Sequence, residues 1–179
     1  MRLQPGSAVP DFTADVFAGP PLKLSSLRGQ PVWLAFFRYS GCPLCNLRVQ
    51  QMITRYSELT ATGLQIVAVF QAPLDEIARN VGKQNAPFPI VSDPDEKLYA
   101  LYGLEASLSG YISPANAPIM VDAVKAGFLM GTMHGTKTRL PADFLIDAQG
   151  QLVEAFYAPI IGAHIPFERV EQFLTRSGQ

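Results

Sequence analysis

The stretch Trp33-Leu34-Ala35-Phe36-Phe37-Arg38-Tyr39-Ser40-Gly41-Cys42-Pro43-Leu44-Cys45-Asn46-Leu47-Arg48 decides how this chain is read. An apolar run ends at Phe37, a short polar turn follows, and apolar residues at helical spacing begin at the first cysteine. Cys42 and Cys45 are the only two cysteines among 179 residues. Thiols separated by two residues can close a disulfide within one helical turn and reopen it without rearranging a fold. A Cys-x-x-Cys at a strand-to-helix junction is therefore a redox device.

The flanks extend this pattern in both directions. Residues 32–37 form a continuous apolar run bounded by Pro31 and Ser40-Gly41, as suits a strand buried on both faces. Over residues 42–60, Leu44, Leu47, Val49, Met52, Ile53, Tyr56 and Leu59 predict one helix, stopped by Gly63. Residues 64–70 predict a second buried strand. Residues 73–82 predict a helix with proline near its start and glycine at its end. A short strand at 89–91 precedes the helix-start signal Ser92-Asp93-Pro94-Asp95-Glu96, which leads into a helix at 97–102. Residues 142–147 and 151–157 predict a hairpin about Ala148-Gln149-Gly150, and 165–173 a closing helix.

Upstream, Val9-Pro10-Asp11-Phe12 and Leu22-Lys23-Leu24-Ser25-Ser26-Leu27-Arg28-Gly29 flank the turn Ala18-Gly19-Pro20-Pro21. This predicts an N-terminal hairpin extension that runs into a helical turn. Strands that alternate with helices imply parallel pairing through right-handed crossovers, and the late hairpin adds antiparallel strands. The expectation is an α/β fold with a central mixed sheet flanked by helices.

Residues 104–138 fit this plan least. They hold Pro114 and Pro118, then an apolar, Gly- and Met-rich segment. A structureless loop of 35 residues is unusual in a compact domain, so an inserted helix plus a loop is expected. Its methionines and Phe128 read first as ordinary core. The sharper alternative is an apolar lid or a dimer surface near the thiols, which leaves a homodimer open.

Composition bounds the function. The chain is 48% hydrophobic and 16% charged, as in a folded globular protein. A net charge of −1 argues against nucleic acid or an anionic membrane as the main partner. No secretory signal is read at the N-terminus, and no apolar run approaches the ~20 residues of a membrane span. The expectation is one domain over residues 1–179, located in the cytoplasm. In a reducing cytosol a cysteine pair is more often catalytic or metal-binding than structural. A four-ligand zinc site would have to recruit both His134 and His164 from far along the chain, so no metal or other cofactor is expected.

The order of elements, with Cys-x-x-Cys ending the first central strand, resembles the thioredoxin fold over nearly the whole chain. Its second marker is Arg139-Leu140-Pro141-Ala142-Asp143-Phe144-Leu145-Ile146-Asp147. The resemblance implies that Leu140–Pro141 is cis and that Pro141 packs against the cysteines. Within that fold the chain is similar to the peroxiredoxin-like group of alkyl hydroperoxide reductase and thiol-specific antioxidant proteins. The matching stretches are Val9-Pro10-Asp11-Phe12, Leu24-Ser-Ser-Leu-Arg-Gly29, Phe36-Phe37-Arg38, Gly41-Cys42-Pro43, Phe88-Pro-Ile-Val-Ser-Asp93 and Phe144-Leu-Ile-Asp147. The active-site pattern departs from the group's Pro-x-x-x-Thr/Ser-x-x-Cys, because Ala35 and Tyr39 occupy the first two fixed positions. Where the group carries a substrate-activating arginine this chain has Pro141, with Arg139 two residues away.

Cys42 falls at a helix start, where free N–H groups and the helix dipole favour an anion. The dipole alone can lower a thiol from ~8.5 by roughly one unit. Cys42 is thus expected to be the solvent-accessible nucleophile and Cys45 the resolving thiol. Arg38, four residues before Cys42, could stabilise the thiolate and hold a peroxide oxygen. Ser40 reads as a turn residue, with a hydrogen bond to substrate as the lesser alternative. His134 reads as an exposed loop residue rather than a neighbour of the pair, and His164 as surface.

The resemblance implies that the Cys42 thiolate attacks a hydroperoxide and becomes a sulfenic acid, and that Cys45 condenses with it to a disulfide. A thioredoxin-like or glutathione-based electron donor then restores the dithiol. The rival enzyme reading is a protein thiol–disulfide oxidoreductase that holds its substrate in an apolar groove around Pro141, Trp33 and the insert. The rival binding reading is a non-catalytic redox sensor.

Overall fold

The computed structural model describes residues 1–177. Two central strands, β3 (Val32–Phe36) and β4 (Gln65–Phe70), are apolar almost throughout because both of their faces are covered. They pair in parallel, Val32 opposite Gln65 and Phe36 opposite Val69. On the other side of β3 lies β6 (Ala142–Ile146), antiparallel, with Ala35 opposite Asp143. β5 (Ile90–Ser92) and β7 (Leu152–Tyr157) take the edges, so the sheet runs β5-β4-β3-β6-β7. β1 (Thr13–Ala14) and β2 (Leu22–Lys23) form the expected small N-terminal hairpin, and a 3-10 turn at Leu24–Leu27 follows it.

Alternation along the strands creates two cores. Trp33, Ala35, Phe37, Ile66, Ala68 and Phe70 face the layer that holds both cysteines. Val32, Leu34, Phe36, Val67, Val69 and Phe144 face the other, closed by Tyr99 and Tyr102. Phe36 packs edge-on against Tyr99 and Phe144 at ring distances of 5.2 and 5.7 Å. Tyr99 comes from α4 (Lys97–Leu101), whose first turn donates its backbone N–H groups to the Asp93 carboxylate. That is the helix start expected from the Asp93-Pro94 signal.

The helices differ from expectation in three places. The long helix after the cysteines is split into α1 (Pro43–Thr54) and α2 (Tyr56–Thr60). The break is Arg55, at φ −98° and ψ 6°, whose side chain binds Glu58 and Glu171 and lies over Phe167. The next helix, α3 (Leu74–Arg79), tightens into a 3-10 turn at Val81–Gln84. The insert holds two helices rather than one, α5 (Leu108–Ile112) and α6 (Asn116–Lys125). Ser113 is extended at ψ 130° because Pro114 excludes the α region for the residue before it. α6 packs on α1, and residues 126–138 return over the cysteine turn without regular structure. The last helix, α7 (Phe167–Ser177), starts two residues later than expected and runs further.

The expected cis bond is absent: among the described residues every peptide bond is trans, Leu140–Pro141 included. The chain is already extended before the proline, since Arg139 bridges Ala106 and Leu140 N–H donates to Glu105 O. It then runs straight into β6, a path that a trans X–Pro bond serves at its usual advantage of ~0.5–1 kcal/mol. No helix among the described residues is long and apolar enough to cross a membrane.

Candidate active site

β3 delivers the chain to Phe37, and the next five residues turn it into α1. Cys42 is the extended N-cap residue of α1, at φ −74° and ψ 119°, and Pro43 takes the first helical position, where a missing N–H costs nothing. Cys42 N–H donates to Tyr39 O at 3.1 Å, closing the turn. Asn46 then locks it: its amide donates to Ser40 O and Cys42 O at 2.8 and 2.9 Å, while its Oδ1 accepts from Gln84. Asn46 was not singled out from the sequence. A polar residue one turn inside an apolar helix face was the available signal.

Both thiols are free and buried. The expectation of a solvent-accessible Cys42 is therefore corrected: its exposure is 0%. The cause is the insert. A cavity of about 200 Å³ lies against Cys42 and is walled by Tyr111 of α5, Asn116 and Met120 of α6, Met130 and Ile161. The segment 104–138 thus covers the thiol from one side as a cap, and Met120 and Met133 also pack on the core. Its core reading and its lid reading each hold in part, while Leu129 and Met130 stay exposed.

Arg38 is also buried and touches both the nucleophile and the cap. Its Nη1 donates to Cys42 Sγ at 3.4 Å, and Nη2 donates to the Lys137 carbonyl. Its guanidinium lies over the rings of Tyr39 and Tyr111, at 4.9 and 5.4 Å. Its Nε is buried with no hydrogen-bond partner in the structure.

These contacts separate the two thiols. Burial pushes the Cys42 thiol up. A hydrogen bond from the Cys45 thiol, the Arg38 charge, the Cys45 N–H and the Arg38 hydrogen bond outweigh it and bring Cys42 down to about 7. Cys45 goes the other way, well above an ordinary thiol. Burial, its hydrogen bond to Cys42 and the Cys42 charge all raise it, and only Arg38 opposes them. Arg38 and the contact between the thiols thus set the pair apart, with Cys42 lowered and Cys45 raised.

Other expected residues fall elsewhere. Pro141 is buried at the foot of β6 and does not line the Cys42 cavity. Trp33 is fully buried and donates to Asp143 Oδ1 at 2.9 Å, so it forms no substrate groove with Pro141. Arg139 is committed to Glu96 and to Leu104 O, which removes it from the family's substrate-activating role. Ser40 is a buried turn residue that accepts from Asn80 Nδ2 at 3.2 Å. His134 lies on the cap, half-buried, with Nδ1 3.7 Å from Glu76.

His164, read as surface, is instead nearly buried: Nδ1 is 3.0 Å from Asp143 Oδ2, and its ring lies 4.7 Å from that of Phe37. Burial pushes the Asp143 carboxyl up, but His164, Arg48 and the Ile165 N–H bring it below its usual value. The signal was in β6. An aspartate between Ala142 and Phe144 in a strand buried on both faces must find partners. Among the described residues no cluster of three or more His, Cys, Asp or Glu side chains could hold a metal ion.

Comparisons with known proteins place the chain in a family and a fold. A Mycobacterium tuberculosis chain that carries the provisional name of a peroxiredoxin is 28% identical over 164 residues, 92% of this chain and 91% of its own length. The thiol-disulfide oxidoreductase ResA of Bacillus thuringiensis is 24% identical over 98% of this chain and 79% of its own. Among solved structures, the peroxidoxin BcpB of Mycobacterium tuberculosis superposes with a TM-score of 0.72 at 18% identity, covering 98% of each chain. That likeness confirms the thioredoxin-type fold. The AhpC/TSA family model matches residues 5–155, so the buried, arginine-supported Cys-x-x-Cys pair sits in a member of the AhpC/TSA family.

Proposed function

We propose that this protein is a thiol-dependent peroxidase that reduces hydroperoxides through Cys42 and Cys45. The observation that carries the reading is the contact of Arg38 Nη1 with Cys42 Sγ beside a cavity of about 200 Å³. Liquid water takes ~30 Å³ per molecule, so the space suits a small hydroperoxide. A folded protein's disulfide could reach Cys42 only if the cap moved away.

In the proposed reaction the Cys42 thiolate attacks the outer peroxide oxygen. The S–O bond forms as the O–O bond breaks, and the departing oxide takes up a proton. Arg38, which lines the cavity and donates to Cys42 Sγ, steadies the thiolate. Cys45 then attacks the sulfenic sulfur, water leaves, and the Cys42–Cys45 disulfide forms. An external thiol reductant, thioredoxin-like or glutathione-based, reopens it by exchange. Pro141 supports β6 beside β3 and takes no direct part.

Protein thiol–disulfide exchange is the second reading. The Cys-x-x-Cys pair itself and the similarity to ResA favour it. Steady-state peroxide consumption with a dithiol donor separates the two. Wild type should turn over and Cys42→Ser should be inactive. Cys45→Ser should form a trappable sulfenic acid, turn over poorly and over-oxidise. Full turnover by Cys42→Ser would refute the assignment of the nucleophile.

A further inference from the structure

Two side chains outside the Cys42 cavity, Gln71 and Glu96, hold the cap at the residue next to the one that Arg38 grips. Glu96 Oε1 accepts from Thr136 N–H at 2.6 Å. Gln71 Nε2 donates to the carbonyls of His134 and Thr136 at 2.8 and 3.0 Å. The cap fits closely around both side chains. A Cβ on Gly135 would lie 2.6 Å from Glu96 Oε1 and 3.1 Å from Gln71 Nε2. Glu96 itself stands at φ 56° and ψ 28°, a left-handed backbone that a glutamate adopts only at a cost. Its other oxygen accepts from Arg139. Burial pushes the Glu96 carboxyl up, but Arg139 and Thr136 bring it below its usual value, so it is an anion at neutral pH.

The next residue, Lys137, offers its carbonyl to Arg38 Nη2. The rings of Tyr39 and Tyr111, at 4.9 and 5.4 Å, limit the tilt of the guanidinium but not its rotation within its own plane. Arg38 Nε has no hydrogen-bond partner, so the bonds to Lys137 O and Cys42 Sγ set that rotation. From this chain of contacts we infer that Glu96, with Gln71, is a positioning residue for Cys42: it fixes Thr136, so that the Lys137 carbonyl aims the Arg38 guanidinium at the Cys42 sulfur. This deepens the reading of Cys42 as the nucleophile and rests on it. The titratable groups about Cys42 are Arg38, Cys45, Tyr39 and Tyr111. Glu96 does not line the cavity, so it acts through the cap. The two ways in which Glu96 can bear on the thiol have opposite signs. An anion acting across space disfavours the thiolate, so its removal would lower the Cys42 midpoint. Loss of aim weakens a hydrogen bond and draws positive charge away, so it raises the midpoint.

The test is the pH midpoint of Cys42 alkylation by iodoacetamide in wild type, Glu96→Ala, Glu96→Gln and Gln71→Met. The midpoint is read rather than the plateau, because a looser cap also speeds access. Glu96→Ala removes the acceptor and its charge. Gln71→Met removes both donors to the cap and leaves the Glu96 charge in place. Each should raise the midpoint by about 0.5 to 1 unit, which lowers the thiolate fraction at neutral pH about 2- to 5-fold. Glu96→Gln keeps an acceptor for Thr136 N–H and should bring the midpoint back to within about 0.3 unit of wild type. In an Arg38→Met background, Glu96→Ala should leave the midpoint where Arg38→Met alone puts it, because the coupling runs through Arg38. A lower melting temperature with an unmoved midpoint in Glu96→Ala and Gln71→Met would overturn the inference. So would a lowered midpoint in Glu96→Ala, which would mean action across space, or a rise that persists without Arg38. If Glu96→Ala does not fold, Gln71→Met decides alone. Alkylation needs no peroxide, so a wild type that hydrogen peroxide oxidises no faster than free cysteine would sink the peroxidase reading separately.

Discussion

Residues 38–46 and residues 126–138 meet backbone to backbone at Gly41 and Gly131, where Gly131 N–H donates to Gly41 O at 2.9 Å, yet each is held by a different kind of contact. The cysteine turn is held mainly from within. A strand ends, a helix starts at a proline, and Asn46 binds the carbonyls of its own turn. The cap is held from outside. Gln71 donates to the carbonyls of His134 and Thr136, Glu96 accepts from Thr136 N–H, and Arg38 reaches Lys137 O. One region is a local structure, and the other is a loop pinned by distant side chains. Arg38 belongs to both, so the charge that acidifies Cys42 also closes the space above it.

Of the variants that probe this pairing of turn and cap, removal of that shared group should have the largest effect. Arg38→Met keeps much of the side-chain length and deletes the charge. With ~1–2 kcal/mol at stake, oxidation of Cys42 should slow roughly 5- to 30-fold at neutral pH. The pH profile carries the sign. Cys42 titrates near 7, so the wild-type rate should reach half its plateau there and level off above. Arg38 is one of the groups that lower that value, so Arg38→Met should move the midpoint to higher pH. An unmoved midpoint would detach Arg38 from the thiolate. The same depression favours the folded protein at high pH. Its contribution is present above the ordinary thiol value and is lost as the pH falls through about 7.

Gly41→Ala tests the seam between the two regions. A Cβ at Gly41 would lie 2.6 Å from backbone atoms of Gly131 and Thr132, so the cap must shift. The cost should be ~1–3 kcal/mol, read as a lower melting temperature. Alkylation of Cys42 should become faster as the cap loosens. Loss of stability with slower alkylation would mean that the turn, not the cap, had given way.

The smallest effect is expected on the outer side of the cap. Leu129 is 73% exposed, and Leu129→Ser should change stability by no more than ~0.5 kcal/mol in chemical denaturation. A larger loss would show that this face is covered in solution.

The same contrast explains what could be read without coordinates. β3, β4, β6 and the helix start at Pro43 follow from apolar runs and punctuation, which are local signals. The order Cys42 before Cys45 along that helix was legible for the same reason. The cap was legible only as one of two readings of residues 104–138, and how it is held was not. Its contacts join Gln71 to Thr136 and Tyr39 to Met130, pairs that no spacing rule connects. Burial of Cys42 beneath it was missed. His164 looked like a surface residue because its partner Asp143 lies 21 positions away on β6. Leu140–Pro141 was expected to be cis from likeness alone, and the extended approach through Arg139 left that bond trans.

The central claim is that Cys42, under its cap and beside Arg38, is built to react with a hydroperoxide. Stopped-flow mixing of the reduced protein with hydrogen peroxide at neutral pH tests it most directly. The account predicts oxidation at least about 100-fold faster than free cysteine, as positioned donors around a reacting centre provide, with the Cys42–Cys45 disulfide as product. Oxidation no faster than free cysteine, from a protein that reduces protein disulfides briskly, would contradict it.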